Sequence, residues 1–232
     1  MRIFITGSAD GLGRGAAQQL LSEGHQVIVH VRNPQRLEAV ADLHGAQPVV
    51  GDLSDPAQTR ALAEQLNRIG RMDAVIHNAG VYNTGPIWEV NVLAPYLLTA
   101  LMEVPDRLIY LSSGMHQGGR PQLGGSASYS DSKLLITTLA NALAHRWPQV
   151  ITSSVDPGWV PTKMGGAHAP DDLRLGHLTQ TWLATSQEPR ALQSGQYWHH
   201  QQIQVPHAAT QDPEFQRQLL DHLERVSKIS LP

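Results

Sequence analysis

Residues 1–15 read "MRIFITGSADGLGRG". An apolar run ends at Thr6, and Gly7, Gly11 and Gly13 follow before a helical pattern takes over. "RIFIT" has the length and composition of a buried strand. "LGRGAAQQLLSEG" carries Leu12, Ala16, Leu20 and Leu21 at helical spacing, and Gly24 is placed to close that helix. Glycines between a strand and a helix let backbone N–H groups approach a pyrophosphate, and the helix N-terminus adds partial positive charge. Alone, such a triplet is equally a tight turn. The segments that follow decide the matter.

The alternation repeats along the chain. "HQVIVHVR" reads as a strand, and "NPQRLEAVADL" as a helix capped by Asn33 with Pro34 in its first turn. "QPVVGDL" is a third strand, followed by a helix that Asp55 caps. "DAVIHNAG", "RLIYLSS", "VITSSVDPG" and the short "GQYW" supply four more strands. Helical stretches separate them, one of which is expected to bend at Pro95. Strands alternating with helices predict successive βαβ units. The expected fold is therefore α/β: a doubly wound, Rossmann-like parallel sheet of about seven strands with helices on both faces. No linker or repeat interrupts residues 1–232, so one domain is expected, with a substrate loop at about 158–195 and a C-terminal helix at about 212–228.

Bulk properties narrow the function. The 232 residues are 41% hydrophobic and 16% charged, with a formal net charge of −3 and no cysteine. That charge argues against a bulk electrostatic grip on nucleic acid. No apolar run approaches the roughly 20 residues of a membrane span. A first strand beginning at Arg2 leaves no room for a signal peptide. Disulfides and thiolate metal sites are excluded, and a cytoplasmic location is the default expectation. His199, His200 and His207 have no acid or thiol at ligand spacing, so surface histidines are expected there and no metal.

Ligands of a doubly wound sheet bind beyond the carboxyl ends of the strands. Gly7, Ser8, Gly11, Leu12 and Gly13 are accordingly expected to hold a dinucleotide. The second strand ends in His30, Val31, Arg32 and Asn33, with no carboxylate before Glu38 to take ribose hydroxyls. Arg32 instead suits a 2′-phosphate. NADP(H) is expected over NAD(H), which stays open. Asp52, ahead of Leu53, is placed to accept from the adenine amino group. Tyr129 and Lys133, four apart in "YSDSK", share one helix face. An ammonium so placed is expected to bring a phenol, ordinarily titrating near 10, toward working range.

Together these stretches resemble the short-chain dehydrogenase/reductase family. "TGSADGLG" is similar to its TGxxxGxG, "HNAG" to NNAG, "YLSSG" to its serine strand, "YSDSK" to YxxxK and "DPGWVPT" to PG-x-x-x-T. "SSGMHQGG" and the tail most resemble the retinol-dehydrogenase-like and carbonyl-reductase-like branch. The resemblance implies that Tyr129 exchanges a proton with the substrate oxygen and that Ser113 hydrogen-bonds that oxygen. It further implies that Lys133 tunes Tyr129 and holds the nicotinamide ribose, and that Asn91 holds a water leading to Lys133. Asn78, Ala79 and Gly80 would border the adenosine ribose, while Pro157, Gly158, Val160 and Thr162 would flank the nicotinamide.

Three departures from the family pattern stand out, one of them a somewhat long, glycine-rich Ser113-to-Tyr129 loop that is expected to leave part of the pocket flexible. Only ten residues separate Gly80 from Asn91, so a short or reshaped helix is expected there. His77 also stands where the family commonly has asparagine. The substrate pocket is expected among Met115, His116 and Trp159, where His116 either touches substrate or caps its own loop. The implied activity is hydride transfer between NADP(H) and a small, hydrophobic carbonyl or secondary alcohol, with homo-oligomers common in the family. The alternative reading is a catalytically silent NADP(H) sensor or scaffold. Asp10 at the middle-glycine position argues against a sugar-nucleotide epimerase.

Overall fold

The computed structural model describes residues 1–83, 85–124 and 127–232. Eight strands form one sheet: β1 (Arg2–Ile5), β2 (Gln26–Val31), β3 (Gln47–Val50), β4 (Ala74–His77), β5 (Arg107–Leu111), β6 (Ile151–Asp156), β7 (Gln196–His199) and β8 (Gln202–Gln204). Their order is β3-β2-β1-β4-β5-β6-β7-β8, parallel except for the last pair. Strand order reverses between β1 and β4, and the glycine turn lies at that point.

Alternation along the strands builds two cores. Ile3 and Ile5 pack with Val27, Val29 and Val155 on one face, against α1 (Gly11–Ser22) and α5 (Leu173–Thr185). Phe4, Ile28 and Tyr110 point to the other face. That face carries α2 (Pro56–Ile69), α3 (Ala94–Leu101), α4 (Tyr129–Arg146) and α6 (Pro213–Ser227). Gly24 has φ +82° just beyond α1, and Asp55 accepts from Ala57 N to cap α2.

The strand count exceeds the expected seven because β8 was illegible. Its residues Gln202, Ile203 and Gln204 are all exposed, so no apolar run marks it. The turn into it uses His200 and Gln201 at φ +45° and +60°, positions where glycine or asparagine would have announced a hairpin. Residues Pro34–Val40 form a 3₁₀ helix rather than a full α-helix, and Asn33 flanks it without a side-chain cap bond. Before α3 the chain makes a π-helical turn at Glu89–Leu93, where Ala94 N donates to Glu89 O. Pro95 lacks the N–H for a regular i→i−4 bond to Asn91, and the wider turn shifts the pairing instead of bending a continuous helix.

His77 and Tyr110 stack at 4.6 Å between ring centroids. Thr99 Oγ1 lies 3.2 Å from His77 Nε2 and 2.7 Å from the Tyr110 hydroxyl. Burial pushes His77 from its ordinary 6.5 down to about 3. Between these values the unfolded chain binds a proton that the folded chain refuses. The associated stability is therefore full above pH 6.5 and is lost as pH falls toward 3. His77→Asn should reduce the pH slope of unfolding free energy in that window by about 1.4 kcal/mol per unit, as read by urea titrations at pH 4–7. An unchanged slope would show that His77 is not the group responsible.

Candidate active site

The glycine turn is built for close approach. Gly7 adopts φ +65°, and a Cβ there would stand 3.0 Å from Ala79 Cα. A Cβ on Gly13 would run into Asn78 Nδ2 and would lie 2.5 Å from Gly7 O. Asn78 Nδ2 also donates to Thr6 O at 2.9 Å, tying β4 to the turn. His30 braces the loop from beneath: its Nδ1 accepts from Gly7 N at 3.0 Å, so its Nε2 donates to Gly51 O at 2.7 Å. Ser8 turns inward, donating to Ile5 O and accepting from His30 N.

Above the turn lies a cleft of about 840 Å³. Gly7, Gly11, Leu12, Arg32, Asp52 and Leu53 line one end, and Asn78, Ala79 and Gly80 border its middle. Tyr129, Lys133, Pro157 and Thr162 line the other end. Asn33 Oδ1 and Asn78 Oδ1 are buried without hydrogen-bond partners among the described residues. A Cβ-free cradle, orphaned amide oxygens and a long cleft at the strand switch point fit a dinucleotide.

Charge gathers at the glycine end. Arg32 Nε donates to Asp52 Oδ2 at 2.8 Å, and Asp52 Oδ1 accepts from Ser54. Asp10 accepts from Arg36 at 2.9 Å and from Lys163 at 2.6 Å. Sequence reasoning singled out neither Arg36 nor Lys163. Their contribution depends on the 3₁₀ helix and the segment after Thr162 converging on one carboxylate.

The reactive end is set by α4. Ser128 accepts from Asp131 N while Asp131 accepts from Ser128 N, a reciprocal capping box that starts the helix at Tyr129. Arg120 donates to the same carboxylate at 2.9 Å. Tyr129 therefore sits in the first turn, and Lys133 one turn deeper, fully inside the protein. Lys133 Nζ donates to Leu111 O at 2.6 Å and stands 5.5 Å from the Tyr129 ring centroid. Burial lowers Lys133 to about 8. Burial pushes Tyr129 up to about 12, against a hydrogen bond with Ser113 that favours the phenolate. Desolvation is the largest influence on Tyr129 here, and Lys133, one turn away, is the residue expected to draw the phenol back toward working range. Tyr82 meets the Tyr129 ring edge-on at 4.7 Å.

Asn91 sits in the π-helical turn. Its Oδ1 accepts from Val81 N at 2.8 Å, and its Nδ2 donates to Val81 O and Ser132 Oγ, both at 2.9 Å. Gly80 lies beside both Asn91 and Lys133, since a Cβ there would be 3.5 Å from Asn91 Oδ1 and from Lys133 Nζ.

Around Ser113 the glycine-rich loop runs toward Gly125 and Ser126, which lie outside the described residues. His116 caps its own loop: Nε2 accepts from His207 N at 3.0 Å, so Nδ1 donates to Ser113 O at 2.8 Å. It is fully buried. Met115 and Trp159 are exposed, with Trp159 Nε1 donating to Gly165 O. Val160 is buried, and a Cβ on Gly158 (φ +82°) would meet Asp171 and His200.

The short chain dehydrogenase family profile matches residues 1–104. An uncharacterized oxidoreductase of Emericella nidulans is 40% identical, the match covering 100% of this chain and 99% of that protein. The chain belongs to the short-chain dehydrogenase/reductase family. Short-chain dehydrogenase chyC of Penicillium rubens is 37% identical over 100% of this chain and 99% of its own length. Among solved structures, a blue fluorescent protein from a metagenomic library in complex with NADPH superposes with a TM-score of 0.73 at 21% identity, covering 85% of this chain and 95% of that one. This short-chain dehydrogenase/reductase is thus an NAD(P)-dependent oxidoreductase acting on a small molecule. Among the described residues no helix is long and apolar enough to cross a membrane.

Proposed function

We propose that the protein reduces the carbonyl group of a small, largely apolar ketone or aldehyde with NADPH as the hydride source. The observation that carries this reading is the Tyr129 hydroxyl placed beside Ser113 in the first turn of α4, one helical turn from a buried Lys133 that Leu111 O holds. A nicotinamide held in the cleft would supply the hydride for the carbonyl carbon. Tyr129 Oη delivers its proton to the carbonyl oxygen, and the Ser113 hydroxyl donates to that oxygen as negative charge develops on it. Lys133, held by Leu111 O, keeps a positive charge near the phenol and would hold the nicotinamide ribose. Asn91 fixes the backbone of Val81, and through Ser132 the first turn of α4. A sensor without turnover has no use for this donor pair.

Arg32 at the end of β2, with Arg36 behind it, supports NADP(H) over NAD(H). Arg32, now paired with Asp52, would be the residue to take a 2′-phosphate. Arg32→Asp should lower the ratio of kcat/KM for NADPH to that for NADH by at least about tenfold, since two carboxylates then face the phosphate. Steady-state rates with both cofactors and an aromatic ketone check this. An unmoved ratio means that the phosphate is read elsewhere. NADPH consumption across a panel of apolar ketones tests the activity itself, and binding without consumption across the panel overturns it.

A further inference from the structure

Asp156 ends β6 and is a carboxylate that the reaction described above does not use. On β5, Leu111 pairs with Val155, and Ser112 N donates to Val155 O at 2.7 Å. On the other side His199 of β7 pairs with Asp156. Leu111, Val155 and Trp198 point into the α1/α5 core. Alternation therefore turns Ser112 and Asp156 to the opposite face, where Ser112 meets Thr137 of α4. Asp156 thus stands beside the Ser113 loop on the side that carries Tyr129 and Lys133.

Its surroundings leave it open. Oδ1 accepts from Gly158 N at 3.0 Å. Oδ2 accepts no hydrogen bond of good geometry among the described residues, with His199 Nδ1 at 3.5 Å and the buried, unpartnered Tyr197 hydroxyl of β7 near the carboxylate. A Cβ on Gly114 would sit 3.1 Å from Oδ2, so glycines flank the carboxylate on both sides. The side chain keeps 17% of its surface exposed. Its negative charge also reaches the working groups, helping to raise Tyr129 and opposing the fall of Lys133. Met115 and Trp159 supply exposed apolar surface in the neighbouring segments.

We infer that Asp156 sets substrate charge specificity, selecting carbonyl compounds that carry an ammonium group on an apolar body and rejecting carboxylates. The inference rests on the proposed carbonyl reduction and refines its substrate class. One unit charge at contact range in a partly enclosed site is worth about tenfold or more in discrimination.

The test compares NADPH-dependent reduction of three acetophenones: one with a para-aminomethyl group, one unsubstituted and one with a para-carboxyl group. The native enzyme is expected to favour the ammonium compound over the carboxylate by at least about tenfold in kcat/KM. In Asp156→Asn, which keeps an acceptor for Gly158 N, that ratio should fall to near one, and in Asp156→Glu it should persist. A native ratio near one overturns the inference. So does an Asp156→Asn enzyme that slows on all three ketones in parallel, which makes Asp156 a structural residue. If none of the three is reduced, the carbonyl-reductase reading is what fails for these ketones. Calorimetric binding of benzylamine against benzoate, in native and Asp156→Asn protein with NADPH, then reads the same charge preference without turnover. Equal binding of the two by native protein overturns it.

Discussion

Turnover in Tyr129→Phe is expected to fall by about 10²–10⁴-fold, the usual contribution of a positioned proton donor, while the dissociation constant for NADPH stays within about threefold. Phenylalanine keeps the ring that meets Tyr82 edge-on and leaves Lys133 on Leu111 O, so what is lost is the hydroxyl alone. Stopped-flow absorbance for the reaction and fluorescence titration for binding separate the two effects. Turnover at the native level would remove Tyr129 from the chemistry. The native enzyme carries a linked expectation. With its phenol pushed up to about 12 by burial, the donor is in place for reduction at neutral pH. Alcohol oxidation needs the phenolate and should accelerate as pH rises toward 9 or so.

Gly13→Val should weaken NADPH binding by at least about 100-fold and lower folding stability by about 2 kcal/mol. Gly13 lies in the first turn of α1, and its missing side chain is what lets Asn78 Nδ2 and Gly7 O close in. A branched side chain there pushes the loop away from β4 and breaks the Asn78 bridge to Thr6 O. The loop's N–H groups then no longer converge on a phosphate. Gly13→Ala should show the same direction with a smaller effect. Isothermal titration together with thermal unfolding measures both consequences, and native affinity in Gly13→Val would show that the turn is not the phosphate cradle.

Much of this architecture was legible because burial and periodicity coincide. The strands from Arg2 to Asp156 are short apolar runs ended by turn residues, and α1, α2, α4 and α6 carry caps or spacing that the sequence displays. Other features depend on relations the sequence does not display. The polar β8 is a strand only because β7 offers it an edge. The π-helical turn around Asn91 reflects Pro95 acting four residues ahead of itself. The Tyr129–Lys133 spacing identified the pair but not the desolvation of the phenol, which is set by packing that spacing does not reveal. Asp156 lay unremarked at the end of the strand "VITSSVDPG", and strand register placed it beside the reactive serine.

One amide links three parts of the fold. Asn91 grips both the N–H and the C=O of Val81 and, through Ser132, the opening turn of α4. This joint uncouples chain length from reactive geometry. Residues gained or lost between Val81 and the π-helical turn are absorbed on the far side of the amide, while the phenol and the amine keep their places. The rim of the cleft can therefore change length at this point without rebuilding its chemistry.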